Sequence, residues 1–216
     1  MRRMSVLTTL VLGILLLAGC GAHRMTPVDV RPVGDLKAEV EDAQGGQVGL
    51  APDFKPAVYR AIVLQPFEVS ASEIKDQDDV RLAKDMAAYL HAQLMRRLQA
   101  AGIFARVVDA TVGALPPSDE RVIRLQGHIS KLTEGSQALR YFVGFGAGAA
   151  KAQIETRLVD AQSQRVVMIT ADRRAAGMGI FGGDGRQFVT ESMDQMADGY
   201  VKLLKHLWAG GRPGPR

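Results

Sequence analysis

The sequence predicts an α+β domain. Its expected core is a mixed, largely antiparallel sheet of about five strands, ordered β-α-β and then a β-meander, with two amphipathic helices covering one face. Three observations lead there. Apolar residues recur with a helical period over 82–98 and again over 189–207, and a helix with one apolar stripe has to bury it. Two-residue alternation runs through Val122–Leu132 and Ala149–Val159, the period of a half-buried strand. β-rich stretches at Val58–Gln65 and Phe104–Val108 flank the first helix, giving a strand–helix–strand unit.

Each element has its own grounds. Ile62-Val63-Leu64 is apolar at consecutive positions, which implies burial on both faces, and Pro66 either ends that strand or marks an edge. Asp76 to Asp79 offer N-caps for a helix reaching Ala101, with Leu82, Met86, Leu90, Leu94 and Leu98 along one side and Gly102 at the C′ position. If strands 58–65 and 104–108 are parallel, the crossover is right-handed. Pro116-Pro117-Ser118-Asp119 breaks the chain. In the next strand Ile123, Leu125, Gly127 and Ile129 share one face, and Arg124, Gln126, His128 and Ser130 the other. In the one after, Ala150, Ala152, Ile154 and Leu158 oppose Lys151, Gln153, Glu155 and Arg157. Asp160–Ser163 turns the chain into a returning strand, Arg165–Ala175. Asp184-Gly-Arg-Gln187 resembles a relaxed capping box ahead of a second helix running to Trp208. Residues 209–216, rich in Gly, Pro and Arg, are expected to be disordered.

Upstream of this domain, assigned to 58–208, the chain reads as targeting and spacing. Arg2 and Arg3 precede Val6–Ala18, apolar but for two threonines and a glycine, which is the pattern of an export signal and too short to span a bilayer. Leu17-Ala18-Gly19-Cys20 resembles the bacterial lipoprotein box. That resemblance implies removal of residues 1–19 and acyl chains on the sulfur and new amino group of Cys20, a covalent lipid being the only non-protein group expected. Gly21, with no aspartate at that position, is similar to lipoproteins sorted to the outer membrane, facing the periplasm. Residues 20–57 read as a flexible tether, with prolines at 27, 32, 52 and 56, glycines at 34, 45, 46 and 49, and at most a helical turn or two within Asp35–Ala43. As a coil, that tether would reach about 35 Å and hold the domain clear of a membrane.

Composition narrows the function. Without Arg2 and Arg3 the mature chain carries 25 basic and 23 acidic residues, intermixed rather than clustered, which argues against nucleic acid. Cys20 is the only cysteine, so no disulfide, thiol nucleophile or cysteine metal site is available. The four histidines (His23, His91, His128, His206) lack metal-ligand spacing. Gly144, Gly146 and Gly148 precede a strand rather than a helix, the wrong context for a phosphate loop. No Gly-x-Ser-x-Gly occurs, Asp172 lies between apolar stretches on a strand with no partner carboxylate beside it, and no catalytic or metal-binding residue is proposed.

Two glycine-flanked apolar segments stand out. Tyr141–Phe145 precedes the strand Ala149–Val159, and Met178–Phe181 follows its returning partner, so an antiparallel hairpin would bring Tyr141, Phe142, Phe145, Ile180 and Phe181 together. They form either a satellite core or an exposed contact for a partner or bilayer.

Arg140-Tyr-Phe-Val-Gly-Phe-Gly-Ala-Gly148, a strand ending Leu158-Val-Asp160, then Gly177 and Phe181-Gly-Gly183 resemble the lipoproteins of the bacterial domain-of-unknown-function family 4410. The matching positions are Gly144, Gly146, Gly148, Asp160, Gly182 and Gly183. The likeness is densest over 140–183 and follows element order from Val58 to Trp208. The chain departs at the turn, where the family favours a glycine and Ser163-Gln164 stands. The resemblance implies an envelope lipoprotein and supplies no catalytic residues. The expected function is therefore a non-enzymatic, membrane-anchored module working through an envelope protein partner. The alternatives are an accessory subunit of a transport or cell-wall complex and a hydrolase, which a deep polar pocket would favour.

Overall fold

A computed structural model of the chain describes residues 22–70, 73–113, 120–135, 149–176 and 184–215. In chain order these form β1 (Ala22–Met25), β2 (Val40–Asp42), β3 (Gly46–Leu50), a 3-10 turn at Pro56–Val58, β4 (Ala61–Leu64), β5 (Glu68–Val69), α1 (Gln77–Ala101), β6 (Arg106–Asp109), β7 (Val122–Thr133), β8 (Lys151–Asp160), β9 (Val166–Ala176) and α2 (Gly185–Trp208). The strands make one mixed sheet in the order β2-β3-β9-β8-β7-β4-β6, with β1 also on β9 and β5 also on β7. β4 runs parallel to β6 and β7, and β5 parallel to β7; the remaining pairs are antiparallel.

Both helices form as the pattern requires. Asp76 accepts from the backbone N–H groups of Asp78 and Asp79, and Gly102 takes φ +65° at the other end of α1. Asp184 caps α2 through the Arg186 N–H, but Gln187 bonds Glu191 instead of reaching back, so the capping box is only half made. The apolar stripes of α1 and α2 meet each other and one sheet face in a single core that includes Leu90, Leu98, Ile62, Ile123, Leu158 and Met196. Ala61 and Val63 point to the opposite face, where they are buried with Val108 and Val122. Pro66 has no N–H to donate, which separates β4 from β5 although both lie along β7. A register shift between Ile129 and Lys131 in β7 puts Leu132 back on the core face.

The expected sheet of about five strands has nine among the described residues, and three of the additions come from the stretch read as a tether. β1 pairs with residues 173–176 of β9, β3 with residues 168–171, and β2 closes a hairpin with β3. No helical turn forms over 35–43, where β2 lies instead. Gly45 ends the turn of that hairpin and Gly46 opens β3. Gly46 sits at φ +78° against the Ala171 carbonyl, and Gly45 packs on Leu203; side chains there would collide with both. The C-terminal residues expected to be disordered are also engaged. The Gly214 N–H donates to Asp42 Oδ2 at 3.1 Å, and His206 Nε2 lies 3.1 Å from the Arg212 carbonyl.

The β8–β9 turn is built on Asp160. Its Oδ1 accepts from the N–H groups of Gln162 and Ser163, both at 2.8 Å, and its Oδ2 from Tyr59 Oη at 2.7 Å and Arg121 Nη2 at 2.8 Å. Burial pushes this carboxyl up, but the Ser163, Tyr59 and Gln162 hydrogen bonds and the Arg121 charge outweigh it and hold it below the ordinary carboxylate range. Asp160 therefore stabilises the fold above its unfolded-state pKa of about 3.9, and that contribution disappears as pH falls through the lower folded value. Asp160→Asn should cost about 2–3 kcal/mol at neutral pH, and urea titrations should show the gap to wild type narrowing in acid.

Gln164 follows at φ +59°, a conformation glycine adopts without strain. Its amide still bonds the Ala161 carbonyl and receives Arg124. Gln164→Gly should leave the denaturation midpoint unchanged or raise it. Gln164→Val should lower stability by about 1–2 kcal/mol, because a β-branched side chain is least tolerated there.

Candidate functional site

Pairing registers place several chain ends at one edge of the molecule. Ala22 opens β1 opposite Ala176, and the Ala176 N–H donates to the Ala150 carbonyl at 3.0 Å. Lys151 lies beside both Ala175 and Thr133. Gly185 at the start of α2 abuts the Glu134 carbonyl so closely that a Cβ would clash. The described residues on either side of 136–148 and of 177–183 therefore lie at this edge, as does Ala22, two residues after Cys20 in sequence. Cys20 itself, with Tyr141, Phe142, Phe145, Ile180 and Phe181, lies outside the described residues. The flanks of the two apolar segments are adjacent, as an antiparallel hairpin requires.

Arg24 locks the edge in place. Its Nε and Nη2 grip both oxygens of Asp172, at 3.0 Å each, while Nη1 donates to the carbonyls of Asp42 and Ala43 and Nη2 also to that of Gln44. All five guanidinium donors are thereby used. Arg174 adds a second cation to Asp172 at 3.1 Å and reaches Gln195 on α2. Asp172, read from sequence as solitary, is 5% exposed and sits between two arginines. One side chain thus joins β1, the β2–β3 turn and β9.

The opposite face of the same edge is polar and cationic. Strand alternation puts His23, Lys151 and Thr133 in one row there, and Met25, Arg173, Gln153 and Lys131 in the next. Gln153 is fully buried because residue 28 crosses over it, exchanging two hydrogen bonds between the side-chain amide and the Val28 backbone. Lys131 binds Glu73 and, at 3.1 Å, Asp29; hydrogen bonds to both hold its ammonium above the ordinary lysine range. Among the described residues, Lys151 and Arg173 have no carboxylate partner, while Glu134 is committed to Arg186 at 3.4 Å.

Packing also creates contacts that sequence spacing does not reveal. His91 Nε2 lies 3.0 Å from Asp109 Oδ2, and its Nδ1 3.2 Å from the Gln65 carbonyl. The Thr111 hydroxyl and N–H, followed by His91, draw the Asp109 carboxyl down to about 2. The pair borders a groove of about 630 Å³ floored by Pro66, Phe67 and Ala87, at the carboxyl ends of parallel β4 and β6. An imidazole and a carboxylate converge there, but the neighbouring hydroxyl, Thr111 Oγ1, is spent on Asp109 at 2.7 Å and is not placed to attack a substrate. His128 faces Glu155 at 3.8 Å beside a smaller cavity of about 160 Å³. Among the described residues, no three His, Cys, Asp or Glu side chains cluster as metal ligands.

A family model described as a domain of unknown function (DUF4410) matches residues 62–179. No curated protein matches the chain. Solved structures that the chain is similar to include the PelC dodecamer from Paraburkholderia phytofirmans (12% identity, 71% of this chain and 94% of that one, TM-score 0.43). A Xanthomonas campestris protein assigned to DUF330 has 12% identity over 74% of this chain and 94% of its own, with TM-score 0.45. A minor lipoprotein from Acinetobacter baumannii has 12% identity over 71% and 95%, with TM-score 0.36. Among the described residues, no helix is long and apolar enough to cross a membrane.

Proposed function

Since the chain belongs to the DUF4410 family, a domain of unknown function, we propose that it is an envelope lipoprotein held at the periplasmic face of the outer membrane by acyl chains on Cys20, acting non-catalytically through contacts with another envelope protein. The observation that carries this reading is convergence. Ala22, two residues after Cys20 in sequence, and the described residues that flank both glycine-flanked apolar segments meet at one edge. In this reading Tyr141, Phe142, Phe145, Ile180 and Phe181 supply the partner contact. The His91–Asp109 groove supports a structural role for that pair better than a hydrolytic one, because no placed nucleophile accompanies it among the described residues.

Anchoring by two or more acyl chains is firm, at about 0.8 kcal/mol per buried CH₂, whereas one chain holds only marginally. Cys20→Ser should therefore yield either a released, folded protein or an uncleaved precursor, distinguished by membrane fractionation and intact-mass measurement. A Ser variant that is still processed, acylated and membrane-bound would falsify the assignment. Crosslinking in intact cells separates a free-standing module, which captures one transient partner, from a subunit of a transport or cell-wall complex, which co-purifies with its assembly.

A further inference from the structure

We infer that the edge of the sheet at which β1 begins lies against the bilayer itself, with Lys151, Arg173 and His23 facing anionic phospholipid headgroups. The inference rests on acylation of Cys20 and goes beyond it, because an anchor alone leaves the domain's orientation open. Two observations set the orientation. The first is the length of the leash. Cys20 and Ala22 are two residues apart, so their Cα atoms are at most about 7 Å apart. The flexible coil expected from sequence over Gly21–Ala57 would have let the domain turn freely, but residues 22–50 of that stretch are built into the sheet or pack on it. Arg24 fixes β1 by five hydrogen bonds, so the leash cannot lengthen by peeling the strand away.

The second observation is charge. Lys151 stands two strands from His23 in the same row, about 10 Å away at the usual inter-strand spacing, and Arg173 lies one row further in. Neither Lys151 nor Arg173 meets a carboxylate among the described residues. The nearby acids are already engaged: Glu134 with Arg186, Asp184 at the cap of α2, Asp79 with the Thr133 side chain, Asp29 and Glu73 with Lys131. Unpaired cations within a short reach of an acylated residue complement a negative lipid surface, which attracts each nearby Lys or Arg by roughly five-fold in partitioning. A protein partner contacted from this edge would then itself lie in or on the membrane.

Site-specific quenching tests this. Cys20 is the only cysteine and acylation blocks its sulfur, so one introduced thiol can be labelled selectively. The acylated full-length protein carrying Thr133→Cys at this edge, or Ser163→Cys at the far end of β8, roughly 30 Å away, is labelled with a fluorophore. It is then reconstituted into phosphatidylcholine vesicles with or without phosphatidylglycerol, containing a headgroup spin-labelled lipid. The position-133 label should be quenched several-fold more than the position-163 label. Lys151→Glu with Arg173→Glu should shrink that difference in phosphatidylglycerol vesicles and leave it unchanged in pure phosphatidylcholine. The milder Lys151→Gln and Arg173→Gln pair should fall between them, and covers the case in which charge reversal impairs folding. Equal quenching at the two positions, or a difference insensitive to both charge variants, overturns the orientation while leaving the lipoprotein reading intact. A mass spectrum lacking an acylated Cys20 peptide overturns both.

Discussion

Deleting residues 22–57 should abolish the cooperative thermal transition of the remaining 58–216 chain. The deletion strips β1 and β3 from β9, leaving the backbone groups of residues 168–176 unpaired along that side. It removes Val48 and Ala51 from the core, and Phe54 from its contacts with Tyr59 and Trp208, whose ring centroids each lie 6.0 Å away. It also leaves Asp172 buried with one of its two arginines gone. The last change alone is of the order of 3–5 kcal/mol, against a total stability of about 5–15 kcal/mol for a domain of ordinary size. Calorimetry of the fragment should show no cooperative heat-absorption peak. A sharp transition near that of the full protein would mean that the N-terminal strands decorate an already complete fold.

Replacing Arg24 alone should have the next largest effect. Arg24→Met keeps the aliphatic length and removes five donors, leaving three carbonyls and the buried Asp172 carboxylate short of partners. The expected loss is about 3–5 kcal/mol, towards the lower end because Arg174 still reaches Asp172. Arg24→Lys should recover little, since an ammonium cannot span the carboxylate and three carbonyls as a planar fork does. Adding Asp172→Leu to Arg24→Met should restore part of the loss by removing the stranded charge, and a double-mutant cycle measured by denaturant unfolding reads that coupling directly.

The elements that were legible in the sequence are those whose partners lie within their own periodicity. Leu82, Met86, Leu90, Leu94 and Leu98 announce α1 because their spacing alone defines a face, and Asp76 and Gly102 mark its ends by local hydrogen bonding and backbone conformation. The alternation of β7 and β8 is equally local. The N-terminal strands carry no such signal. β3 is Gly46-Gln-Val-Gly-Leu50, with glycine at two of five positions, and it is a strand because β9 offers it a backbone edge. A proline- and glycine-rich stretch with no period looks like a coil whenever the partner that orders it is more than a hundred residues away. The clasp was invisible for the same reason. Arg24 and Asp172 read as an ordinary cation and a lone acid until β1 is laid against β9. His91 and Asp109 met only because α1 packs over the ends of β4 and β6. Cys20, by contrast, was conspicuous in the sequence because its context is linear.

The pairing of β1 with β9 has a consequence for the order in which the chain can fold. Arg24 and Asp172 are 148 residues apart, so the first strands to be synthesised must wait for nearly the last. The α1 crossover and the β7–β8 meander can form while the chain is still growing, but β1 and β3 cannot close until β9 is present. Closure over so long a separation is entropically slow and sets a high contact order. During that wait the N-terminal stretch is an unpaired segment that another chain could capture, and a strongly strand-forming sequence there would invite it. The short, glycine-broken strands β1 to β3 hold little structure on their own, so they remain available for the one edge that fits them.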